Sequence, residues 1–409
     1  MLAASSCASP AKTSRCVGPS LTAHLRLARC LSRTKRQRRR RPVSPNPSKT
    51  PTHHRSSLGA GGGDRSRPGL GLRGASPARP FLHPGPLVVL GYHHGRYHVD
   101  FPNEGIACDL MDLSGRVVKR VRRADVEWPM SVQLDLVCVE RGNEEMYGLL
   151  DPATGDVRAL PGGFAKGHAA RRMIGYRAAI VFGRVASTGE IKVLRLLDNS
   201  DDTDFVQLCE IVTLSNGGNH GQWRRKKSPP ELLVVEDPYQ SVVIDGVCYF
   251  LSYKPEYIAA FDLETEEWRQ PLRGPLSSLL DADRQAWRSN LSSFQFSMAA
   301  LSGHLVVTYP TRASIDLWFL MHVEKGLWVK QHSIPNSVLH AGYDRYIVCP
   351  LLVLEDGRIM LLCSTGFKGL IRTYSPGTNT FTDLAEVGNC PAVGLYTGSL
   401  MSLATDANK

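Results

Sequence analysis

Three stretches of this chain are written to one plan: Leu149-Leu-Asp-Pro-Ala-Thr-Gly-Asp-Val157, Ala260-Phe-Asp-Leu-Glu-Thr-Glu-Glu-Trp268 and Thr373-Tyr-Ser-Pro-Gly-Thr-Asn-Thr-Phe381. A β-rich run leads into Asp or Ser, Thr follows three residues on, and an aromatic or β-branched residue follows three beyond that. Asp112…Gly115…Val118 and His322…Lys325…Trp328 are weaker copies. The chemistry is that of a hairpin. Asp or Ser accepts a backbone N–H, Pro presets φ, and the large residue returns to the sheet face that the run left. Asp151, Thr154, Asp262, Thr265, Trp268, Trp328, Thr378 and Phe381 are read as structural repeat positions. Trp268 and Trp328 fill one slot of two copies, so both are expected in the core. Trp268→Ala is then expected to cost about 3–5 kcal/mol, as buried large-to-small changes do.

Any β protein contains hairpins, but here a second element precedes three copies. It is a Gly-started apolar strand: Gly246-Val-Cys-Tyr-Phe-Leu-Ser-Tyr253, Gly303-His-Leu-Val-Val-Thr-Tyr309 and Gly357-Arg-Ile-Met-Leu-Leu-Cys363. Paired hairpins of this kind make a four-stranded blade. Asp262 to His322 is 60 residues, His322 to Ser375 is 53, and Asp151 to Asp262 is 111, two periods. Kelch-like blades recur at about 50 residues. Residues 86–403 therefore read as all-β, a β-propeller-like repeat domain of roughly six blades, with 404–409 a C-terminal tail. Radial repetition also solves the edge problem of so many strands.

Residues 1–85 read as a disordered basic leader rich in Ser, Pro, Gly and Arg, with too little apolar mass to offset the entropy of ordering. The leader holds 17 of the chain's 49 Lys and Arg and one, Asp64, of its 38 acids, a net +16. The remaining 32 basic and 37 acidic residues leave the body at −5. Nucleic-acid binding is thus expected to be weak at most, and through the run Lys35 to Arg41. That run also reads as a nuclear signal, giving nucleus or cytoplasm. The alternative is a transit-like leader for plastid or mitochondrion.

Several motifs are rejected as chemistry. Gly69-Leu-Gly-Leu-Arg-Gly74 matches a dinucleotide turn but lies among prolines, without strand or helix context. His93, His94 and His98 cannot share a strand face, and Asp201, Asp202 and Asp204 read as a solvated turn. No HExxH, GxSxG or P-loop occurs. The ten cysteines are scattered singly, several in apolar runs, which suits buried reduced thiols. No run approaches the roughly 18 apolar residues of a membrane helix, so no membrane partner is expected.

The body resembles the F-box-associated domains of grasses, of kelch-like type, without a recognisable F-box. The resemblance rests on Ile191-Lys-Val-Leu-Arg-Leu-Leu197, Leu208-Cys-Glu-Ile-Val-Thr-Leu214 and Trp223-Arg224. It continues in Val243-Ile-Asp-Gly-Val-Cys-Tyr-Phe-Leu251, Ile258-Ala-Ala-Phe-Asp-Leu-Glu-Thr-Glu-Glu-Trp268 and the run from Ile315 to Trp328. It implies a non-enzymatic interaction module, the substrate-recognition part of a cullin-based ubiquitin ligase, with no catalytic residue, metal or cofactor. The implied partner is a protein substrate of unknown identity. A ligase adaptor is implied only if the full gene product has an F-box, since no Leu-Pro-x-[Asp/Glu] opening or Cys-Lys-x-Trp ending precedes residue 87. The alternative from another class is a propeller enzyme or carbohydrate-binding domain, marked by carboxylates converging in the central channel.

Overall fold

The computed structural model describes residues 85–93, 105–142, 146–168, 178–199, 206–214, 221–235, 238–254, 256–275, 296–311, 313–336, 347–364, 368–388 and 390–398. All of them belong to the second of two compact units, Ala78–Lys409. Residues 1–84 of the leader with the glycine motif, His94, His98, the acidic run Asp201–Asp204 and the 404–409 tail lie outside the described residues.

Six antiparallel sheets follow one another along the chain. Blade 1 contains β1 (Leu87–Gly91), β2 (Ile106–Met111) and β3 (Val117–Arg122). Blade 2 is β4 (Val126–Gln133), β5 (Leu136–Arg141), β6 (Met146–Leu150) and β7 (Val157–Ala159). Blade 3 is β8 (Ala178–Arg184), β9 (Ile191–Asn199), β10 (Val206–Leu214) and β11 (Arg224–Lys226). Blade 4 is β12 (Ser241–Ile244), β13 (Val247–Leu251), β14 (Tyr257–Asp262) and β15 (Glu267–Trp268), with β16 (Leu272–Arg273) also on β14. Blade 5 is β17 (Ser297–Leu301), β18 (His304–Pro310), β19 (Ser314–His322) and β20 (Leu327–Pro335). Blade 6 is β21 (Ile347–Val353), β22 (Ile359–Ser364), β23 (Gly369–Ser375) and β24 (Thr380–Val387). The last strand, β25 (Ala392–Tyr396), pairs with β1 and completes blade 1 from the other end of the chain.

The strands β25, β4, β8, β12, β17 and β21 each neighbour the next, and β21 returns to β25. They form a closed inner ring. The core is divided to match, into one apolar cluster per seam between successive blades. Strand residues alternate between two seams: Leu87 and Val89 of β1 enter the seam with blade 2, Val88 and Leu90 the seam with blade 6. A strand buried on both faces needs apolar residues at every position, which is why these strands read as unbroken runs rather than an alternation.

Turn chemistry follows from the sequence. Two-residue turns at Leu134-Asp135, Asp245-Gly246 and Ser302-Gly303 place both residues at positive φ, the mirror-image turn that suits strand twist. In the repeated outer turns, the Asp151 carboxylate accepts the Ala153 N–H at 2.7 Å, and that of Asp262 accepts Glu264 at 2.7 Å and Thr265 at 3.2 Å. The residue after the repeated Thr or Lys is left-handed: Gly155 (φ 85°), Glu266 (57°), Gly326 (58°) and Asn379 (54°). Gly and Asn tolerate this conformation, whereas Glu266 carries about 1–2 kcal/mol of backbone strain.

The seams are stitched by hydrogen bonds at both radii. Near the axis, Ser131 donates to Ile180 O at 3.0 Å and Ser297 to Val348 O at 2.6 Å. At the rim, three indole N–H groups each reach a carbonyl of the preceding blade: Trp223 to Pro161 at 2.7 Å, Trp268 to Lys227 at 2.8 Å and Trp328 to Arg273 at 2.8 Å. In blade 6, Phe381 fills that slot without a donor and rests on Tyr374, ring centroids 5.1 Å apart.

Trp268 and Trp328 therefore sit at the margin of their cores, half-buried, instead of deep inside. The outer strand of a blade keeps one side in solvent, so the cost of Trp268→Ala falls to about 2–3 kcal/mol. Trp268 packs on Phe261 at 5.0 Å, which the Ala variant loses along with the Lys227 bond. Trp268→Phe, which removes little more than the donor, is expected to cost about 1 kcal/mol. Urea midpoints of the two variants measure the split; equal costs would show that the rim hydrogen bond carries nothing.

Candidate interaction surface

The repeat positions do not converge on a site. Asp151 and Thr154 belong to blade 2, Asp262, Thr265 and Trp268 to blade 4, Trp328 to blade 5, Thr378 and Phe381 to blade 6, each at the outer hairpin of its blade. Residues elsewhere shape the surfaces that a partner meets.

The central channel is lined by the six inner strands. Among the inner strands, Glu127 of β4 is the sole carboxylate. One mouth of the channel is crossed by Tyr239. The turn Pro238–Gln240 enters blade 4, yet the Tyr239 ring packs in the seam between blades 6 and 1 and its hydroxyl donates to Cys390 O. Blade 4 stands opposite blade 1 in a ring of six, so this side chain spans the axis. Among the described residues no group of three metal-ligating side chains gathers, and His93 rests on Trp128 with ring centroids 3.8 Å apart.

At the other end of the channel, where the inner turns and repeated outer turns lie, a cleft of about 360 Å³ opens between blades 4 and 5. Its floor is Val247, Tyr249, Leu305 and Leu320; its rim is Asp245, Arg269, His304 and Glu324. Arg269 is held by Asp262 at 2.6 Å, and burial of Tyr249 raises its phenol pKa, so the floor stays neutral. Beside the cleft the β19–β20 hairpin exposes Met321, Val323, Leu327 and Val329, each 38–47% accessible. Val323 lines the cleft, whereas Leu327 and Val329, flanking Trp328 on β20, face blade 6. Exposed apolar side chains on both faces of one hairpin, the largest such group among the described residues, mark its tip and outer edge as an interaction surface.

Sequence reasoning missed this patch. Met321-His-Val-Glu-Lys-Gly-Leu-Trp-Val329 reads as an ordinary hairpin, and only the position of β20 as the last strand of its blade leaves these residues uncovered. Tyr239 was equally silent, because its partner lies at Cys390.

The closed ring of six four-stranded blades defines the unit as a six-bladed β-propeller. Residues 116–387 match the model of the F-box associated beta propeller domain, and the chain belongs to that family. The match leaves β25, β1 and β2 outside, so the geometry supplies the closing blade. No curated protein matches the chain. Among solved structures it is similar to a chain in a nidogen/laminin complex, at 9% identity over 76% of this chain and 98% of that one, TM-score 0.39. It is also similar to a protein from Lactobacillus plantarum, 9% over 76% and 99%, TM-score 0.36. A third is Hsv2 from Kluyveromyces lactis, 8% over 70% and 96%, TM-score 0.31. At these scores none bears on what this chain does.

Proposed function

We propose that the propeller is a protein-interaction module that holds a partner protein on the tip and outer edge of the blade 5 hairpin, beside the cleft between blades 4 and 5. The observation that carries this is the exposed Met321, Val323, Leu327 and Val329 group on an F-box-associated propeller. The cleft has room for one or two apolar side chains of the partner, and its polar rim supplies orientation. Within the family we infer the kelch-like type abundant in grasses, supported by the Asp245-Gly246 turn and Tyr249-Phe250-Leu251 strand leading to the Phe261…Trp268 hairpin. The partner is then a ubiquitin-ligase substrate, bound without chemistry by this chain. We place the protein in nucleus or cytoplasm, in keeping with seven described cysteines that are free and buried or half-buried.

Leu327→Glu combined with Val323→Asp is expected to leave stability within about 0.5 kcal/mol, since both side chains are exposed. The same change should abolish partner retention. Quantitative affinity purification of the full chain and this variant, with and without proteasome inhibition, measures it. Proteins lost in the variant and enriched on proteasome inhibition would support the reading. An identical set from both proteins would sink it.

A further inference from the structure

The outer seam between blades 3 and 4 gathers positive charge around a single acid. Lys192 on β9, with Arg224 and Lys226 on β11, reaches the Glu266 carboxylate at 2.9, 2.5 and 2.6 Å. The four side chains sum to +2. Lys192 is buried and also donates to Leu263 O at 2.8 Å, so its place is fixed by the fold. Arg224 and Lys226 are 42% and 25% exposed and retain N–H donors toward solvent. Strand alternation puts these two on one face of β11 and Arg225 on the other.

Glu266 is itself out of pattern. The matching turns of blades 2, 5 and 6 put Gly155, Gly326 and Asn379 in the left-handed position, whereas blade 4 puts a carboxylate there. Burial alone would raise the pKa of Glu266, but hydrogen bonds from Lys226 and Lys192, with the Arg224 charge, hold it at about 2. One carboxylate thus seats three cations without neutralising them.

We propose that Arg224 and Lys226, the two solvent-facing cations around Glu266, bind a phosphate monoester on a partner protein, a phosphorylated Ser or Thr. A dianion matches the surplus of +2, and a guanidinium fork beside an ammonium suits a tetrahedral oxyanion. The half-buried Trp268 ring lies next to this edge, its N–H on Lys227 O, and offers an apolar surface to residues flanking the phosphate. A nucleic-acid strand fits less well, because Asp262, Glu264 and Glu267 on the same turn would repel a continuous phosphate backbone. The site lies on the opposite side of the blade 4 hairpin from the cleft and stands without it.

Titration of the full-length protein at physiological salt tests this, using Ala-Leu-phosphoSer-Leu-Ala, its unphosphorylated twin, inorganic phosphate and a short oligothymidylate. The phosphopeptide should bind about tenfold more tightly than its twin and more tightly than inorganic phosphate. Arg224→Gln with Lys226→Gln should erase that margin at an unchanged urea midpoint. Glu266→Gln should tighten binding several-fold, because it removes the competing carboxylate. The basic leader is common to every protein compared, so differences between them report on the seam. No preference for phosphopeptide, a margin surviving the double substitution, or weaker binding by Glu266→Gln would overturn the proposal. Equal binding of inorganic phosphate would overturn the partner assignment. Oligothymidylate binding more tightly than the peptide, and lost in the double variant, would give the site to nucleic acid.

Discussion

Replacing Glu210 by Ala is expected to lower the unfolding free energy by about 3–5 kcal/mol, because it leaves a buried guanidinium without its counter-charge. Glu210 on β10 is fully buried, and Arg195 on β9 is 3% exposed. One carboxylate oxygen accepts Arg195 through Nε at 3.1 Å and through Nη2; the other accepts the Ala165 N–H at 2.9 Å and meets His168 Nδ1 at 2.7 Å. Arg195 also donates to Gly163 O at 2.8 Å and lies over the Trp223 ring at 4.0 Å. Trp223 in turn donates to Pro161 O. The segment from Leu160 to His168, which leaves blade 2 for blade 3, is thereby fastened to blade 3 at four points. Loss of the carboxylate removes two of these four fastenings and strands the arginine together. Glu210→Gln keeps the shape and one acceptor, so it should cost less than Glu210→Ala. Glu210→Leu with Arg195→Met removes both charges, and much of the single-variant cost should return, since that cost comes from the unpaired charge. Denaturant midpoints for the three proteins decide the matter. An Ala variant within about 1 kcal/mol of the parent would mean that Arg195 finds water when its partner leaves.

The parts of this fold that could be read from sequence are those settled within a hairpin. Asp151 and Asp262 take their hydrogen bonds two or three residues away, and the Asp245-Gly246 turn joins strands that pair immediately. The repeat therefore announces blades, and its spacing their number. The pattern was nonetheless keyed to Thr154, Thr265 and Thr378, while the conformational demand falls one residue later, on Gly155, Glu266 and Asn379. Burial depth was not legible, because a slot repeated in every blade can lie at the rim, as Trp268 and Trp328 do. The seam polar groups were hidden for another reason. Glu210 meets a strap 42 and 45 residues away, and Lys192 reaches Leu263 across 71. Nothing local distinguishes such an acid from a solvated one. Surface chemistry depends on which strand of a blade is last, a property of the assembled ring.

Removing residues 391–409, and with them β25, is expected to abolish cooperative folding of the propeller. β25 pairs with β1 along its whole length, from Leu87 with Tyr396 to Gly91 with Ala392. Its side chains divide between two seams: Ala392 and Tyr396 enter the one with blade 2, Val393 and Leu395 the one with blade 6. At about 1.5–3 kcal/mol for each large side chain, the strand accounts for on the order of 5 kcal/mol or more, comparable to the whole stability of a domain. The loss also leaves β1 as a bare inner edge and separates β21 from β4, so no smaller closed ring is on offer. A graded version is Gly394→Val. A Cβ at Gly394 would stand 2.6 Å from both Cβ and Cγ1 of Val132 on β4, atoms held by the strand itself. Overpacking of that kind costs about 1–3 kcal/mol, and because the clash faces blade 2 it should loosen the closing blade first. Amide exchange checks this directly. Val88 to Leu90 should lose protection in Gly394→Val before the strands of blades 3 and 4 do. Uniform loss across all six blades would mean that the ring opens only as a whole. A truncated chain that still unfolds in one sharp transition would mean that β25 is not what closes it.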